Sequence, residues 1–562
     1  MIRKMLPAVA AVGGLLAVAG GADAAQVTGR EYVVVYEQGA GDGAARAAIA
    51  DAGGRIVSEN AQLGVATVRT SDAAFAGEVA ESPAVVGAAT NRVIGKAPRD
   101  VVKRDAIEHD VGTVRGATDF RRALGGDPLG PLQWNMQMIH ATPEGSYARQ
   151  QGSKAVRVGV IDTGIDGSHP DIAPNFDARL SRNFTVDDPT VDGACETDPD
   201  RSCDDPADAD ENGHGTHVAS TIGSPLNGIG IAGVAPRVDL VNLRAGQDSG
   251  YFFLGPTLDA LTFAGDHGID VVNMSYYIDP WLYNCTANPA DSPAEQREQR
   301  LVITATQRAI DYARARGVTT ISSAGNGFTD LGNPVFDDSS PDYPVDANGD
   351  PSQARPRTID NSCKSMPTEA DGVIGVTSVG PSKRKAYYSD YGVEQADVAA
   401  PGGDTRDTPD GSRRIQNAIL AAYPYGVGIR QDREPDGKPD IDPVTGEPTS
   451  PAVIRQGGAY YQWIQGTSMA APHATGVAAL IVAEYGQRDR RHGGLTLRPD
   501  RVERILERTA TDTACPAQNP FTYPGLSAVY NAVCQGTPDV NGFYGEGIVD
   551  ALAAVRGQRG RP

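Results

Sequence analysis

The chain has 562 residues, which is more than one small hydrophobic core uses and fits two or three structural units. Its formal net charge of −21 makes nucleic acid and anionic membrane surfaces poor partners. The 66 glycines and 39 prolines indicate many loops around a compact centre rather than a disordered chain.

The first 24 residues have the order of a secretory signal peptide. Arg3 and Lys4 precede an apolar run of roughly 13 residues, and Ala22-Asp23-Ala24 matches an A-x-A cleavage site. A short buried helix is the alternative. The run is too short to span a bilayer well, and no later stretch approaches about 18 apolar residues. We therefore expect a secreted, extracellular chain without a membrane anchor.

Residues 25–96 read as a strand, a helix, two strands and a second helix, which predicts a small βαββα(β) module. This block contains no cysteine and no cluster of catalytic residue types. Residues 97–129 are polar and of mixed charge, which is typical of a linker, although a surface excursion of one continuous domain has the same composition.

Residues 130–562 form the largest unit. Apolar, β-rich runs such as "AVRVGVID", "IDVVNMS" and "VTTISSAGN" alternate there with helical stretches. This alternation predicts an α/β fold with a doubly wound, mostly parallel sheet. In such sheets the active groups lie at the carboxyl ends of the strands.

Four loops fall at these strand ends or at the helix starts beyond them. Asp162 ends a strand in "VIDTGID", and Asn326 ends another in "SSAGN". His214 begins a helix in "GHGTHVAS", and Ser468 lies in the first turn of a helix in "GTSMAAPHATG". The parallel topology would bring all four to one edge of the sheet.

These residue types suit nucleophilic catalysis. A serine hydroxyl needs an imidazole to accept its proton and a carboxylate to orient that imidazole, and Ser468, His214 and Asp162 supply these groups. The backbone N–H of Ser468 and the amide of Asn326 would stabilise an oxyanion. The other two histidines of these motifs, His217 and His473, are expected to pack against the helices rather than to act as bases.

The four loops resemble the Asp, His and Ser motifs and the oxyanion asparagine of the subtilases, the subtilisin-like serine endopeptidases, in that family's chain order. The stretches "NGIGIAGVAP", "DVVNMS" and "DVAAPGG" match as well. The resemblance implies peptide hydrolysis through an acyl-enzyme, with no cofactor required for the chemistry. It also implies that residues 25–96 are an inhibitor-like propeptide, removed at a maturation site within residues 97–129.

The resemblance further implies that an extended substrate pairs with two segments beside the S1 pocket. Because such backbone pairing is sequence-tolerant, side-chain pockets set the preference. The aromatic stretch from Tyr251 to Phe253 favours apolar substrate groups. Tyr276 and Tyr277 stand where the family usually has small glycines, which leaves the depth of the S1 pocket open. The implied substrate-binding residues are Gly250, Tyr251, Ser275, Tyr276, Tyr277 and Gly325.

Residues 186–213, just before His214, are strongly acidic. They could bind calcium, attract basic substrates, or form a solvated loop. Asp346–Asp350 has the spacing of a calcium loop but lacks its closing glutamate. The family's calcium loop would fall near Leu226–Ile231, where this chain is short. Structural calcium therefore stays open.

The 6 cysteines of an exported chain favour disulfides, because no C-x-x-C or Cys/His cluster indicates zinc. Sequence alone leaves many pairings open. Two pairs would close short loops, and the remaining two cysteines would then bond to each other. The predicted pairs are Cys195–Cys203, Cys515–Cys534 and Cys285–Cys363.

The leading hypothesis is a secreted, monomeric serine endopeptidase with a broad preference for apolar side chains, acting on proteins and peptides and held by its own propeptide. A second is a processing protease that cuts after basic residues, which the acidic stretch favours. A third is a non-catalytic binding protein on the same scaffold. The presence of Asp162, His214, Asn326 and Ser468 argues against the third.

Overall fold

The computed structural model describes residues 30–90, 105–108, 111, 127–189, 191–197, 201–342, 354–432 and 453–557. The predicted signal peptide and the Asp346–Asp350 loop lie outside these residues. Within them, no helix is both long and apolar enough to cross a membrane.

The N-terminal module has the predicted βαββαβ order. Its elements are β1 (Arg30–Tyr36), α1 (Asp42–Asp51), β2 (Arg55–Asn60), β3 (Val65–Thr70), α2 (Phe75–Val79) and β4 (Val85–Thr90). The strands form an antiparallel sheet in the order β2-β3-β1-β4. Side chains alternate between the two faces of a strand, so Val34 packs with the module's own helices while Val33 and Val35 pack with the large domain.

A short helix, α3 (Asp105–Glu108), precedes the large domain. The helices of that domain are α4 (Trp134–Met138), α5 (His214–Gly223), α6 (Leu254–His267), α7 (Pro293–Ala315), α8 (Tyr425–Asp432), α9 (Thr467–Tyr485), α10 (Pro499–Thr509) and α11 (Ala551–Arg556). Its longer strands are β5 (Arg157–Ile161), β7 (Asp239–Arg244), β8 (Val271–Met274), β10 (Thr319–Ser323), β14 (Ile374–Val379), β15 (Val398–Pro401), β16 (Ile419–Tyr423), β17 (Val453–Gln456) and β18 (Ala459–Ile464). Its two-residue strands are β6 (Arg182–Asn183), β9 (Asn284–Cys285), β11 (Phe336–Asp337), β12 (Arg357–Thr358), β13 (Cys363–Lys364), β19 (Gln487–Arg488) and β20 (Leu495–Thr496).

The central sheet has 7 strands in the order β15-β14-β10-β8-β5-β7-β6, and every pairing is parallel. This confirms the predicted doubly wound α/β fold. Strands β8, β10 and β14 are buried along their whole length, because helices cover both faces of the sheet. Helix α9 is buried from Thr467 to Val482 and contacts β8, β10, β14 and β15.

The N-terminal module packs on the two surface helices α6 and α7. The side-chain amide of Asn60 donates to the hydroxyl of Thr262 at 2.8 Å, and Arg308 donates to the carbonyl of Tyr36 at 2.8 Å. Leu63 and Ala89 join the core cluster that contains both helices. The module is therefore bound to the large domain by apolar burial as well as by hydrogen bonds.

All three predicted disulfides are present, and the described residues contain no free cysteine. Two of them close the short loops that favoured them, with sequence separations of 8 and 19. The third joins β9 to β13, where Cys285 lies directly opposite Cys363.

Candidate active site

The four predicted loops meet at the carboxyl-terminal edge of the parallel sheet. Asp162 follows β5, His214 begins α5, Asn326 follows β10, and Ser468 is the second residue of α9. His214, Asn326 and Ser468 line a cavity of about 330 Å³, and Asp162 is buried behind His214. The topology thus gathers residues that are separated by about 300 positions in the sequence.

The imidazole of His214 is oriented by a carboxylate. Its Nδ1 lies 2.7 Å from Asp162 Oδ1, which also accepts the backbone N–H of Thr163 at 2.8 Å. Asp162 is fully buried. A buried carboxylate on Nδ1 fixes the tautomer and directs Nε2 into the cavity.

A second aspartate, Asp210, fixes the positions of Asp162 and His214 relative to each other. Its carboxylate accepts the backbone N–H groups of Gly213 and Thr216 at 2.8 and 2.9 Å and the hydroxyl of Thr163 at 3.1 Å. Asp210 therefore ties the residue after Asp162 to the start of the helix that presents His214. Asp210 is not among the site residues predicted from the sequence, because it stands in a stretch with many other aspartates.

Ser468 lies in the first turn of α9, where Pro472 interrupts the backbone hydrogen bonding of the helix. Pro472 has no N–H to donate to the carbonyl of Ser468 four residues earlier. That carbonyl instead accepts the hydroxyl of Ser275 at 3.1 Å. The Ser468 hydroxyl lies 3.4 Å from the carbonyl of Ser275. Pro472 thus leaves an acceptor through which α9 is joined to the predicted substrate segment.

The side chain of Asn326 is fixed from behind. Its Oδ1 accepts the backbone N–H and the hydroxyl of Thr467, both at 2.9 Å, so its Nδ2 faces the cavity. Asp390 supports the same loop, because its backbone N–H donates to the carbonyl of Gly325 at 2.8 Å and its carboxylate accepts the N–H of Thr329 at 2.6 Å. A Cβ on Gly325 would lie 2.2 Å from that carboxylate, and its φ of +113° also favours glycine.

An unexpected side chain, Glu108 of α3, occupies this part of the cavity. Its Oε1 accepts the amide of Asn326 at 3.2 Å, and its Oε2 lies 3.6 Å from Nε2 of His214. Only 6% of Glu108 is exposed. The segment is held by Gln465, whose backbone N–H donates to the carbonyl of Glu108 at 3.2 Å and whose side chain donates to that of Ile107 at 2.9 Å.

Electrostatics at His214 follow from these neighbours. Burial by itself opposes protonation of the ring, but the carboxylates of Asp162 and Glu108 outweigh it and raise the pKa of His214 well above 6.5. With Glu108 in place, the imidazole is therefore held as a cation.

Most of the predicted substrate-binding residues line the cavity: Gly250, Ser275, Tyr276, Tyr277 and Gly325. The ring of Tyr276 stacks on Phe252 with centroids 4.1 Å apart. Tyr251 differs, because it is buried with Phe253 and Val191 and does not line the cavity. Of the aromatic stretch predicted to contact substrate, Phe252 is the member that reaches the cavity.

The remaining histidines of the motifs are structural, as predicted. His217 Nε2 lies 3.2 Å from the carbonyl of Ile419, and His473 Nδ1 lies 2.7 Å from that of Met469. Both rings are fully buried, and burial lowers the pKa of His217 to about 3 and that of His473 to about 4. Neither would act as a base near neutral pH.

Two aspartates of the acidic stretch, together with Asp248 beyond it, surround the buried guanidinium of Arg244. Asp187 and Asp248 contact the guanidinium of Arg244 at 2.9 and 3.1 Å, and Asp205 contacts it as well. Burial raises the pKa of Asp187 and of Asp248, and the guanidinium of Arg244 opposes that shift. Because Arg244 takes the centre of this cluster, these three carboxylates are used in an internal ion-pair network.

A second pair of buried carboxylates flanks the short segment Leu226–Ile231. Asp127 accepts the backbone N–H of Gly228 at 2.7 Å, and Asp171 accepts that of Ile231 at 2.9 Å. Burial raises the pKa of Asp127 to about 6 and that of Asp171 to about 8. The second oxygen of Asp127 is buried and has no hydrogen-bond partner among the described residues. This buried, unsatisfied carboxylate oxygen of Asp127 is a ligand type that suits a hard cation such as calcium, whereas both oxygens of Asp171 already accept hydrogen bonds.

The parallel sheet, the serine at a helix start and the oriented histidine that lines the same cavity are features typical of α/β serine hydrolases. The model of the subtilase family matches residues 153–538. The chain therefore belongs to the subtilase family and is a subtilisin-like serine endopeptidase.

Curated relatives agree with this assignment, and a solved structure shares the fold. Subtilisin DY from Bacillus licheniformis is 27% identical over 364 residues, which is 64% of this chain and 86% of that protein. Fervidolysin from Fervidobacterium pennivorans is 25% identical over 397 residues, 69% of this chain but 41% of the relative. The structure of an epidermin leader peptide processing serine protease from Staphylococcus aureus shares the fold with a TM-score of 0.59 and 19% identity, covering 94% of this chain and 98% of that one.

Proposed function

We propose that this chain is a secreted serine endopeptidase in which Ser468 is the nucleophile, His214 the general base and Asp162 the group that orients His214. The observation that supports this most strongly is the 2.7 Å contact between His214 and Asp162 in a cavity that His214 shares with Ser468 and Asn326. The cleaved bonds belong to proteins or peptides that bind across this cavity.

The reaction proceeds in two halves. His214 Nε2 removes the proton from Ser468 as its Oγ attacks the scissile carbonyl, and the protonated imidazole then gives that proton to the leaving amine. Water hydrolyses the resulting acyl-enzyme by the same proton transfers in reverse order. Asn326 Nδ2 and the N–H of Ser468 at the start of α9 stabilise the oxyanion in both halves.

The precursor is proposed to be inhibited by its own N-terminal part. Glu108 supports this, because its carboxylate lies on the two groups, His214 Nε2 and Asn326 Nδ2, that the reaction requires. Residues Asp105–Glu108 are helical, whereas a substrate that pairs with cleft segments is extended. The segment therefore blocks the cavity in a geometry unsuited to its own cleavage, and maturation requires it to leave first.

Structural calcium is proposed at the Asp127 and Asp171 pair. The two carboxylates would supply oxygen ligands to a cation that the chemistry of peptide hydrolysis does not need. Charge neutralisation there would stabilise the loop Leu226–Ile231, which lies next to the start of the large domain.

Replacement of the nucleophile tests the proposed function. Ser468→Ala leaves the backbone in place and removes the attacking oxygen. Expressed in a host without extracellular proteases, the variant should remain a folded chain that has lost only the signal peptide, while wild type should mature to a chain that starts within residues 97–129. Mass spectrometry of both secreted N-termini reads the result.

An organofluorophosphonate probe supplies the control for that experiment. It should label wild type at Ser468 and leave Ser468→Ala unlabelled. Identical maturation of both chains with labelled wild type would assign processing to another protease. Identical maturation without labelling of wild type would contradict Ser468 as the nucleophile and favour the non-catalytic scaffold.

A further inference from the structure

The charged side chains that line the cavity decide which substrate charge it favours. Among the described residues there are three: Glu108, His214 and Asp342. Glu108 belongs to the segment proposed to leave on maturation, and His214 serves the reaction. Asp342 is therefore the anionic side chain that stays in this wall of the mature cavity.

Asp342 is held in place by aromatic hydroxyl groups. The hydroxyl of Tyr277 donates to its Oδ2 at 3.2 Å, and that of Tyr251 donates to its Oδ1 at 3.5 Å. Its backbone N–H donates to the carbonyl of Pro280 at 2.8 Å. The shorter hydroxyl contact, from Tyr277, and the backbone bond to Pro280 position the residue, while the Tyr251 hydroxyl makes a longer contact.

The surfaces around Asp342 are polar near the carboxylate and aromatic along the side. Ser339, Ser365 and Thr368 line the cavity with it, and so do the stacked rings of Phe252 and Tyr276. A long basic side chain suits such a pocket, because its methylene stem packs on aromatic faces while its charged end reaches acceptors. An apolar side chain would displace water from the carboxylate of Asp342 without supplying hydrogen-bond donors in its place.

We propose that Asp342 determines substrate specificity by selecting lysine or arginine at P1, the residue before the cleaved bond. The assignment to P1 follows from Tyr277, which contacts Asp342 and belongs to the segment expected to flank the S1 pocket. This inference rests on the proposed function, since it concerns the substrate class of the same site. The proposal favours a preference for basic P1 residues over the preference for apolar side chains expected from the sequence.

The test compares otherwise identical fluorogenic peptides that carry Lys, Arg, Leu or Phe at P1. Wild type should cleave the basic peptides with the higher kcat/KM. Asp342→Asn keeps the size and the acceptor for the tyrosine hydroxyls but removes the charge, and it should lower the Lys/Leu ratio of kcat/KM by about tenfold or more. Asp342→Glu should restore most of that ratio.

Asp338→Asn is the matched control, since Asp338 is an exposed carboxylate of the same loop that does not line the cavity. It should leave the ratio at the wild-type value. Parallel losses on all four peptides in Asp342→Asn would mean a structural role and would overturn the proposal, as would an unchanged ratio. Titration of Ser468 with the organofluorophosphonate probe separates the two hypotheses: labelled enzyme with an unchanged ratio refutes only the role of Asp342, whereas unlabelled, inactive wild type refutes the proposed function itself.

Discussion

Two carboxylates, Glu108 and Asp342, line the same cavity but belong to different parts of the chain. Glu108 comes from the segment before the large domain and contacts the histidine and the asparagine that the reaction needs. Asp342 belongs to the large domain and is held by Tyr277 and Tyr251. They belong to differently attached parts of the chain and can therefore have different roles. A carboxylate that leaves the cavity with its segment can regulate the activity, whereas a carboxylate fixed in the cavity wall can select the substrate.

The largest expected effect concerns the amide that Glu108 covers. Asn326→Leu removes a donor directed at a charge that exists in the transition state, so kcat should fall on the order of 10²–10³, a magnitude known for such a donor in a subtilisin. The fold should persist, since the backbone of the neighbouring Gly325 stays held on both sides: its N–H donates to the hydroxyl of Thr467 at 3.1 Å, and its carbonyl accepts the N–H of Asp390 at 2.8 Å. Steady-state kinetics on the mature enzyme measure the effect, and a rise in KM with unchanged kcat would contradict this role.

A smaller effect is expected from the carboxylate that blocks the site. Glu108→Gln removes the charge attracted to the His214 cation, so freshly refolded precursor should react with the organofluorophosphonate probe about tenfold faster than wild type, in line with the loss of one charge-assisted contact. Glu81→Gln, which changes an exposed carboxylate of the N-terminal module, is the control. Equal labelling rates for all three chains would show that Glu108 does not restrain the site.

The restraint that Glu108 is proposed to place on the site should depend on pH in a defined direction. The docked Glu108 raises the pKa of His214. The stabilisation that it supplies is therefore fully present below the ordinary pKa of 6.5 and is lost as the pH rises through the raised value. The ratio of labelling rates, Glu108→Gln over wild type, should accordingly be larger near about pH 6, where a carboxylate is ionised and His214 is protonated, and approach one in alkali.

A further effect, on stability rather than on reactivity, lies outside the cavity at Asp127, a carboxylate assigned to neither role. Calcium at about a hundredfold excess over its dissociation constant should stabilise the chain by about 2.7 kcal/mol and raise Tm by about 3–5 °C. Asp127→Asn, which keeps the acceptor for Gly228, should abolish the response. Thermal unfolding with calcium or with a chelator measures it, and an equal response in both chains would exclude this position.

Much of the fold follows from local patterns in the sequence. The strands of the parallel sheet are short apolar runs because they are buried on both faces, and each motif residue lies directly at a strand end or helix start. The start of α7 at Pro293 also has a local signal, because Ser292 and Glu295 form a capping box there. The antiparallel sheet of β16, β17 and β18 was not predicted from the sequence, because β16 and β18 are buried along their whole length and lack polar alternation.

The two carboxylates of the cavity could not be predicted in this way. Glu108 meets His214 only because the segment before the large domain docks at Gln465, and Asp342 meets Tyr277 only because the loop after β11 folds back on the cavity. Neither contact leaves a periodic or spacing signal. The groups of the proposed inhibition and specificity thus depend on long-range juxtaposition, whereas short motifs predict the candidate catalytic groups.

The most direct test of this account is the pKa of His214 in the uncleavable precursor. Imidazole ¹⁵N shifts can be followed from about pH 5 to about pH 10 in full-length Ser468→Ala with and without Glu108→Gln, with His214→Gln used to assign the signal. We predict a pKa well above 6.5 in Ser468→Ala and a clearly lower one once Glu108 is neutral. The same pKa in both chains would show that the Glu108 carboxylate does not lie against His214, and it would contradict the account.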